Sequence, residues 1–155
     1  MKASTQIYLA AALLHRERGI DAELEVGEVV ARAEREGWGG VQPQTLRAHA
    51  STHCLATARP SPAHLRMLTR TNRGRVRLFR QGDHFHAGRA DGPTEPALED
   101  VPVELRPLVD WVRRASASPA ESDPLMALAR RARQSGIWKG INPDRYVRKL
   151  REGWK

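Results

Sequence analysis

The stretch that decides the fold runs from residue 42 to residue 80 and opens with Gln42-Pro43-Gln44-Thr45-Leu46-Arg47-Ala48-His49-Ala50-Ser51-Thr52-His53. Pro43 suits the first position of a helix, where a missing N–H costs nothing. At roughly 100° per residue, Leu46, His49, Ala50 and His53 share one face, and Gln44, Arg47, Ala48 and Ser51 share the opposite one. The first face reads as core and the second is slim and polar. A loop, Arg59-Pro60-Ser61-Pro62, leads to two extended arms, Met67–Thr71 and Arg75–Arg80, joined at Asn72-Arg73-Gly74. Val76 and Leu78 alternate with Arg75 and Arg77, the pattern of a strand with one face inward. No acid falls between Arg66 and Arg80, a span that also carries Arg70, Arg73, Arg75 and Arg77.

Upstream, Ser4 can cap a helix that runs to about Arg18 and closes at Gly19. Ile7, Ala10, Ala11 and Leu14 form its core stripe, and Leu9 with Leu13 forms a second. That excess suits either the domain interior or another subunit. A short extended piece, Ala22–Val26, precedes a helix over Gly27–Glu36, and Gly37-Trp38-Gly39-Gly40 breaks it. The order is helix, strand, helix, helix, strand, strand. It predicts an α+β chain, a winged helix-turn-helix of three helices plus a β-hairpin wing, with a mainly helical C-terminal extension.

Such an arrangement sets its third helix in the major groove of duplex DNA and its hairpin on the backbone. Gln44, Thr45, Arg47 and Ser51 are the expected groove contacts, Gln being suited to adenine and Arg to guanine. Arg70, Arg73, Arg75 and Arg77 are expected on phosphates or in the minor groove. The bland reading is a solvated, aggregation-resistant edge. A surface built only for solubility would mix its signs, which favours phosphate contact.

Val41-Gln42-Pro43-Gln44-Thr45-Leu46-Arg47-Ala48-His49 and Arg73-Gly74-Arg75-Val76-Arg77-Leu78 resemble a bacterial winged-helix DNA-binding family. Its members share a P-x-T-[IL]-R-x-H third helix and an R-G-x-[YV]-R-L final strand, and many accompany restriction or regulatory genes. The resemblance covers roughly residues 4–82 and implies duplex DNA as partner.

Charge divides the chain. Residues 1–92 hold 14 basic and 9 acidic side chains, residues 93–123 hold 3 and 7, and residues 124–155 hold 9 and 2. The middle segment, with Pro93, Pro96, Pro102, Pro107 and Pro119, reads as an acidic linker containing a short helix, between a DNA-binding domain over 1–92 and a basic tail over 124–155. In the tail, Asn142-Pro143-Asp144 starts a helix on which Tyr146, Leu150 and Trp154 form one stripe. Gly136-Ile137-Trp138 and Tyr146-Val147-Arg148-Lys149-Leu150-Arg151-Glu152-Gly153-Trp154 resemble the toxin-binding tails of small bacterial antitoxins. That resemblance implies a toxin partner held by Trp138, Arg145, Tyr146, Arg148, Leu150, Arg151 and Trp154. Packing against the same molecule is the other reading of these amphipathic stripes.

The net charge of +8 and pI near 10.7 suit a polyanionic partner. With Arg far outnumbering Lys, bidentate phosphate or guanine contact and a GC-rich genome explain the bias equally well. The single cysteine, Cys54, precludes an internal disulfide. The apolar run Ile7–Leu14 is too short for a bilayer, and with no leader pattern a cytoplasmic protein without membrane contact is expected. His49, His53, Cys54, His84 and His86 lack the paired spacing of a closed zinc site, and the first two fall on the core face. No carboxylate pair, phosphate-cradling loop or serine elbow is present. The expectation is a non-enzymatic, cofactor-free transcriptional regulator that binds as a homodimer, an antitoxin if the tail follows its resemblance. The alternative is a protein interaction module or a nuclease accessory subunit that docks on an acidic partner.

Overall fold

A computed structural model describes residues 1–61, 64–71 and 74–117. Expectations for the tail, its seven partner-binding residues and Arg73 lie outside the described residues. The described chain is α+β, with four α-helices and a two-stranded antiparallel sheet.

Helix α1 spans Ala3–Arg18 and is buried almost all round from Ser4 to Ala12. A helix apolar on every side belongs in an interior, and α1 packs against α2, α3, α4, the turn over 49–53 and the second hairpin strand. Its second stripe, Leu9 and Leu13, is thus used within the domain. Ser4 is not the cap expected. Lys2 holds that position without a side-chain cap bond, and its ammonium meets Asp100 at 2.7 Å. Gly19 closes the helix at φ 97°, its N–H reaching His15 O at 2.8 Å.

Helix α2, Val26–Glu36, starts where Glu28 Oε2 accepts the Glu25 N–H at 3.1 Å, the reciprocal half of a capping box. Val29, Val30 and Ala33 face the core, and Gly37 ends it in the left-handed region at φ 64°. Helix α3 is Pro43–Ala48, with Pro43 at its start. It continues directly as a π-helical turn over His49–His53, which the Cys54 N–H closes on His49 O at 2.9 Å. The core side chains here are Leu46, Ala50 and Cys54, four residues apart and each at most 1% exposed. In an α-helix that interval drifts by roughly 40° per step. The wider turn absorbs the drift and keeps all three inward.

Strands β1, Leu68–Arg70, and β2, Val76–Leu78, pair with Leu68 opposite Leu78 and Arg70 opposite Val76. The short extended piece expected near residue 24 is present. Leu24 and Val76 exchange two backbone hydrogen bonds of 2.8 Å. On the other side of the hairpin, Leu55 lies parallel to Leu68, with Ala56 N–H reaching Leu68 O at 2.8 Å.

The segment after residue 92 is not a free linker. Helix α4, Arg106–Ser116, buries Leu108, Val109 and Val112, and Val101 joins them in the core shared with α1. Residues Met1–Ser116 form one compact unit. Proline and acid content suggested a connector, but Pro93, Pro96 and Pro102 lie in irregular backbone ahead of α4, and Pro107 sits in its first turn. Its apolar side chains recur at helical spacing.

Candidate nucleic-acid interface

The third helix is amphipathic in the expected sense. Leu46 anchors it at 1% exposure while Gln44, Thr45 and Arg47 are exposed on the short helix around it. The π turn alters the direction of the next side chains. Ser51 is only half-exposed, and Thr52 is the exposed member of the turn. Their hydroxyl oxygens lie 3.5 Å apart. The sequence projection onto a regular α-helix assigned Ser51 outward, and the wider turn rotates it away.

His49 and His53 are half-buried beside the core, their ring centroids 4.9 Å apart. Burial, then the neighbouring His53, lowers the pKa of His49. Cys54 Sγ sits 4.0 Å from His49 Nδ1, fully buried, and burial pushes its thiol up to about 12. This thiol is not poised as a nucleophile.

The hairpin departs furthest from its reading as an uninterrupted run of free cations. Arg77 meets Asp83 through two bonds of 2.9 and 2.7 Å. Arg80 pairs with Asp21 at 2.6 Å and donates to Ile20 O. Arg75 lies 3.6 Å from Glu25, a looser pair with both side chains substantially exposed. Arg66 stacks on Phe85, its guanidinium carbon 4.6 Å from the ring centroid, and donates to Gly92 O at 3.0 Å. The acids come from the α1–α2 connection and from the turn after β2, so no count along residues 66–80 could reveal them. Arg70 is exposed and has no acidic partner among the described residues. Register also separates the group. Arg70, opposite Val76, takes the face of Leu68 and Leu78, whereas Arg77 takes the other with Thr69.

Compared with protein-family models, curated proteins and solved structures, the chain gives no match.

Two residues that hold these elements together carry no local sequence signal. His15 is buried and spans two elements: its Nε2 accepts the Leu78 N–H at 3.2 Å and its Nδ1 lies 3.2 Å from Gly19 O. Acting as acceptor at Nε2 places the proton on Nδ1. Burial, ahead of the nearby Arg80 and Arg77, lowers its pKa. Arg89 is 0% exposed and bonds only to backbone carbonyls. In the sequence it is one more arginine beside exposed Gly88 and Ala90. Among the described residues no helix is long and apolar enough to cross a membrane.

Proposed function

We propose that this chain is a sequence-specific, duplex DNA-binding transcriptional regulator of the winged helix-turn-helix type. The observation that carries the reading is α3 itself. Leu46 and Ala50 anchor it in the core, while Gln44, Thr45 and Arg47 stand exposed. Gln and Arg bond bidentately to adenine and guanine, and a threonine hydroxyl bonds a base edge or a phosphate. The antiparallel hairpin after it, with Leu24 bonded to its second strand, supplies the wing. Arg70 is its available cation among the described residues. Arg75 can exchange its loose contact with Glu25 for a phosphate, whereas Arg77 serves the fold first.

A single module of this size makes few contacts, and a homodimer on a two-fold site is part of the proposal. Autorepression by an antitoxin whose tail occupies a toxin rests on the sequence resemblance of residues 124–155. The test is selection from a randomised duplex library followed by titration of the recovered duplex. Arg47→Ala should cost about 1–3 kcal/mol on that duplex and relax the preference at one position. No duplex binding at low salt would refute the reading and favour a protein interaction module.

A further inference from the structure

A guanidinium has five N–H donors, and in Arg89 each donor group is engaged. Nε donates to Ala58 O at 2.9 Å, Nη1 to His53 O at 2.8 Å and Leu65 O at 2.6 Å, and Nη2 to Arg59 O at 2.7 Å and Thr52 O at 3.3 Å. No carboxylate is among these partners, and the side chain is 0% exposed. A buried cation without a counter-ion persists only where oriented dipoles replace water completely. Thr52 and His53 end the helix that begins at Pro43, so their carbonyls also carry its negative end.

The carbonyls come from three places. Thr52 and His53 close the reading helix, Ala58 and Arg59 lie in the loop that leaves it, and Leu65 leads into β1. Arg89 itself comes after the hairpin, in a short turn over Ala87–Arg89. His86 N–H holds this turn to Ala56 O at 2.9 Å, and His86 Nδ1 accepts the Gly88 N–H at 3.0 Å. The neighbouring backbone is packed as closely, since a Cβ on Gly92 would lie 1.6 Å from His64 O.

We propose that Arg89 is the positioning residue of the DNA interface: its guanidinium fixes the end of the reading helix against the start of the hairpin, and so sets which bases that helix meets. This inference rests on the DNA-binding reading above. Lysine cannot replace it, because a compact ammonium offers three donors from one point where five carbonyls converge on a planar fork. Base readout tolerates little misplacement of a supporting element. The phosphate contact of Arg70 depends on charge and should survive.

The experiment uses the full chain, wild type and Arg89→Lys, at a temperature where circular dichroism shows both folded. For Arg89→Lys, affinity for a random-sequence duplex should stay within about twofold, while preference for the library-selected duplex falls by about tenfold. Amide exchange should accelerate across residues 49–59 and not in α2. An unchanged preference, or equal losses on both duplexes, would overturn the assignment. So would acceleration spread evenly over the domain.

Two readouts do not need DNA. If the wild-type chain binds no duplex, the functional reading fails, and exchange confined to 49–59 still decides whether Arg89 positions that segment. If Arg89→Lys does not fold, the wild-type protein is read by nuclear magnetic resonance. Separate, slowly exchanging Arg89 guanidinium protons support the cage, and a single averaged signal overturns it.

Discussion

Arg77 and Asp83 form a two-bond ion pair, at 2.9 and 2.7 Å, with side chains only 20% and 15% exposed. Asp83 Oδ2 also accepts the Arg80 N–H at 2.9 Å, and Arg77 donates to Leu78 O at 3.0 Å. The pair thereby closes the turn after β2, where Gly82 sits at φ 93°. An arginine expected on a phosphate is, in space, also a brace for the hairpin.

That difference separates two mutants. Arg77→Ala leaves Asp83 half-buried without its cation and should destabilise the fold by about 1–3 kcal/mol. Arg70→Ala should leave stability nearly unchanged and flatten the log–log salt slope of duplex binding by about one unit. Urea unfolding and titrations at several salt concentrations check both. A larger slope change in Arg77→Ala than in Arg70→Ala would return Arg77 to the phosphate contacts.

The domain should end near Ser116 and not near Gly92. Val101, Leu108, Val109 and Val112 are each at most 5% exposed. At about 1.5–3 kcal/mol per side chain, their removal forfeits roughly 6–12 kcal/mol. Typical domain stability is about 5–15 kcal/mol. A chain cut after Gly92 should therefore lose its cooperative melt, while one cut after Ser116 keeps it. Matching melting curves for the two would show that α4 adds nothing to the core.

Stability should fall with acid through His15. Its ordinary pKa is 6.5, lowered in the fold by burial first and by Arg80 and Arg77, with the Gly19 carbonyl and Asp21 opposing. Below about pH 6.5 the unfolded chain binds a proton that the folded ring resists, because Nε2 is occupied by the Leu78 N–H. The unfolded state then holds more protons, so stability declines as pH drops, by at most about 1.4 kcal/mol per pH unit. Unfolding midpoints at about pH 7.5 and 5 should move further in the wild type than in His15→Gln. Equal shifts would clear His15 of the effect.

Cys54 should resist alkylation in the native protein. Its thiol is buried and pushed up to about 12, so almost no thiolate exists near neutrality. Iodoacetamide labelling with mass-spectrometric readout should register the thiol only after urea unfolding. Rapid labelling of the folded chain would place it at an accessible surface.

Periodicity made α1, α2 and both hairpin arms legible, because apolar residues at helical or alternating spacing must find a common core whatever surrounds them. Leu46 with Ala50, and Val76 with Leu78, were readable as core for the same reason. The exposure of Gln44 and Arg47 came from the same projection. The π turn was not legible, since it arises from keeping Leu46, Ala50 and Cys54 inward together.

What the sequence by itself determined is the order of elements, the inward stripes and the surplus of positive charge. Only the tertiary structure decided which cations remain available. Asp83 reaches Arg77 around a turn, Asp21 reaches Arg80 from 59 residues away, and five carbonyls from separated segments enclose Arg89. Charge counted along a chain ignores partners that folding brings across space, and at contact distance in a half-buried site those partners dominate.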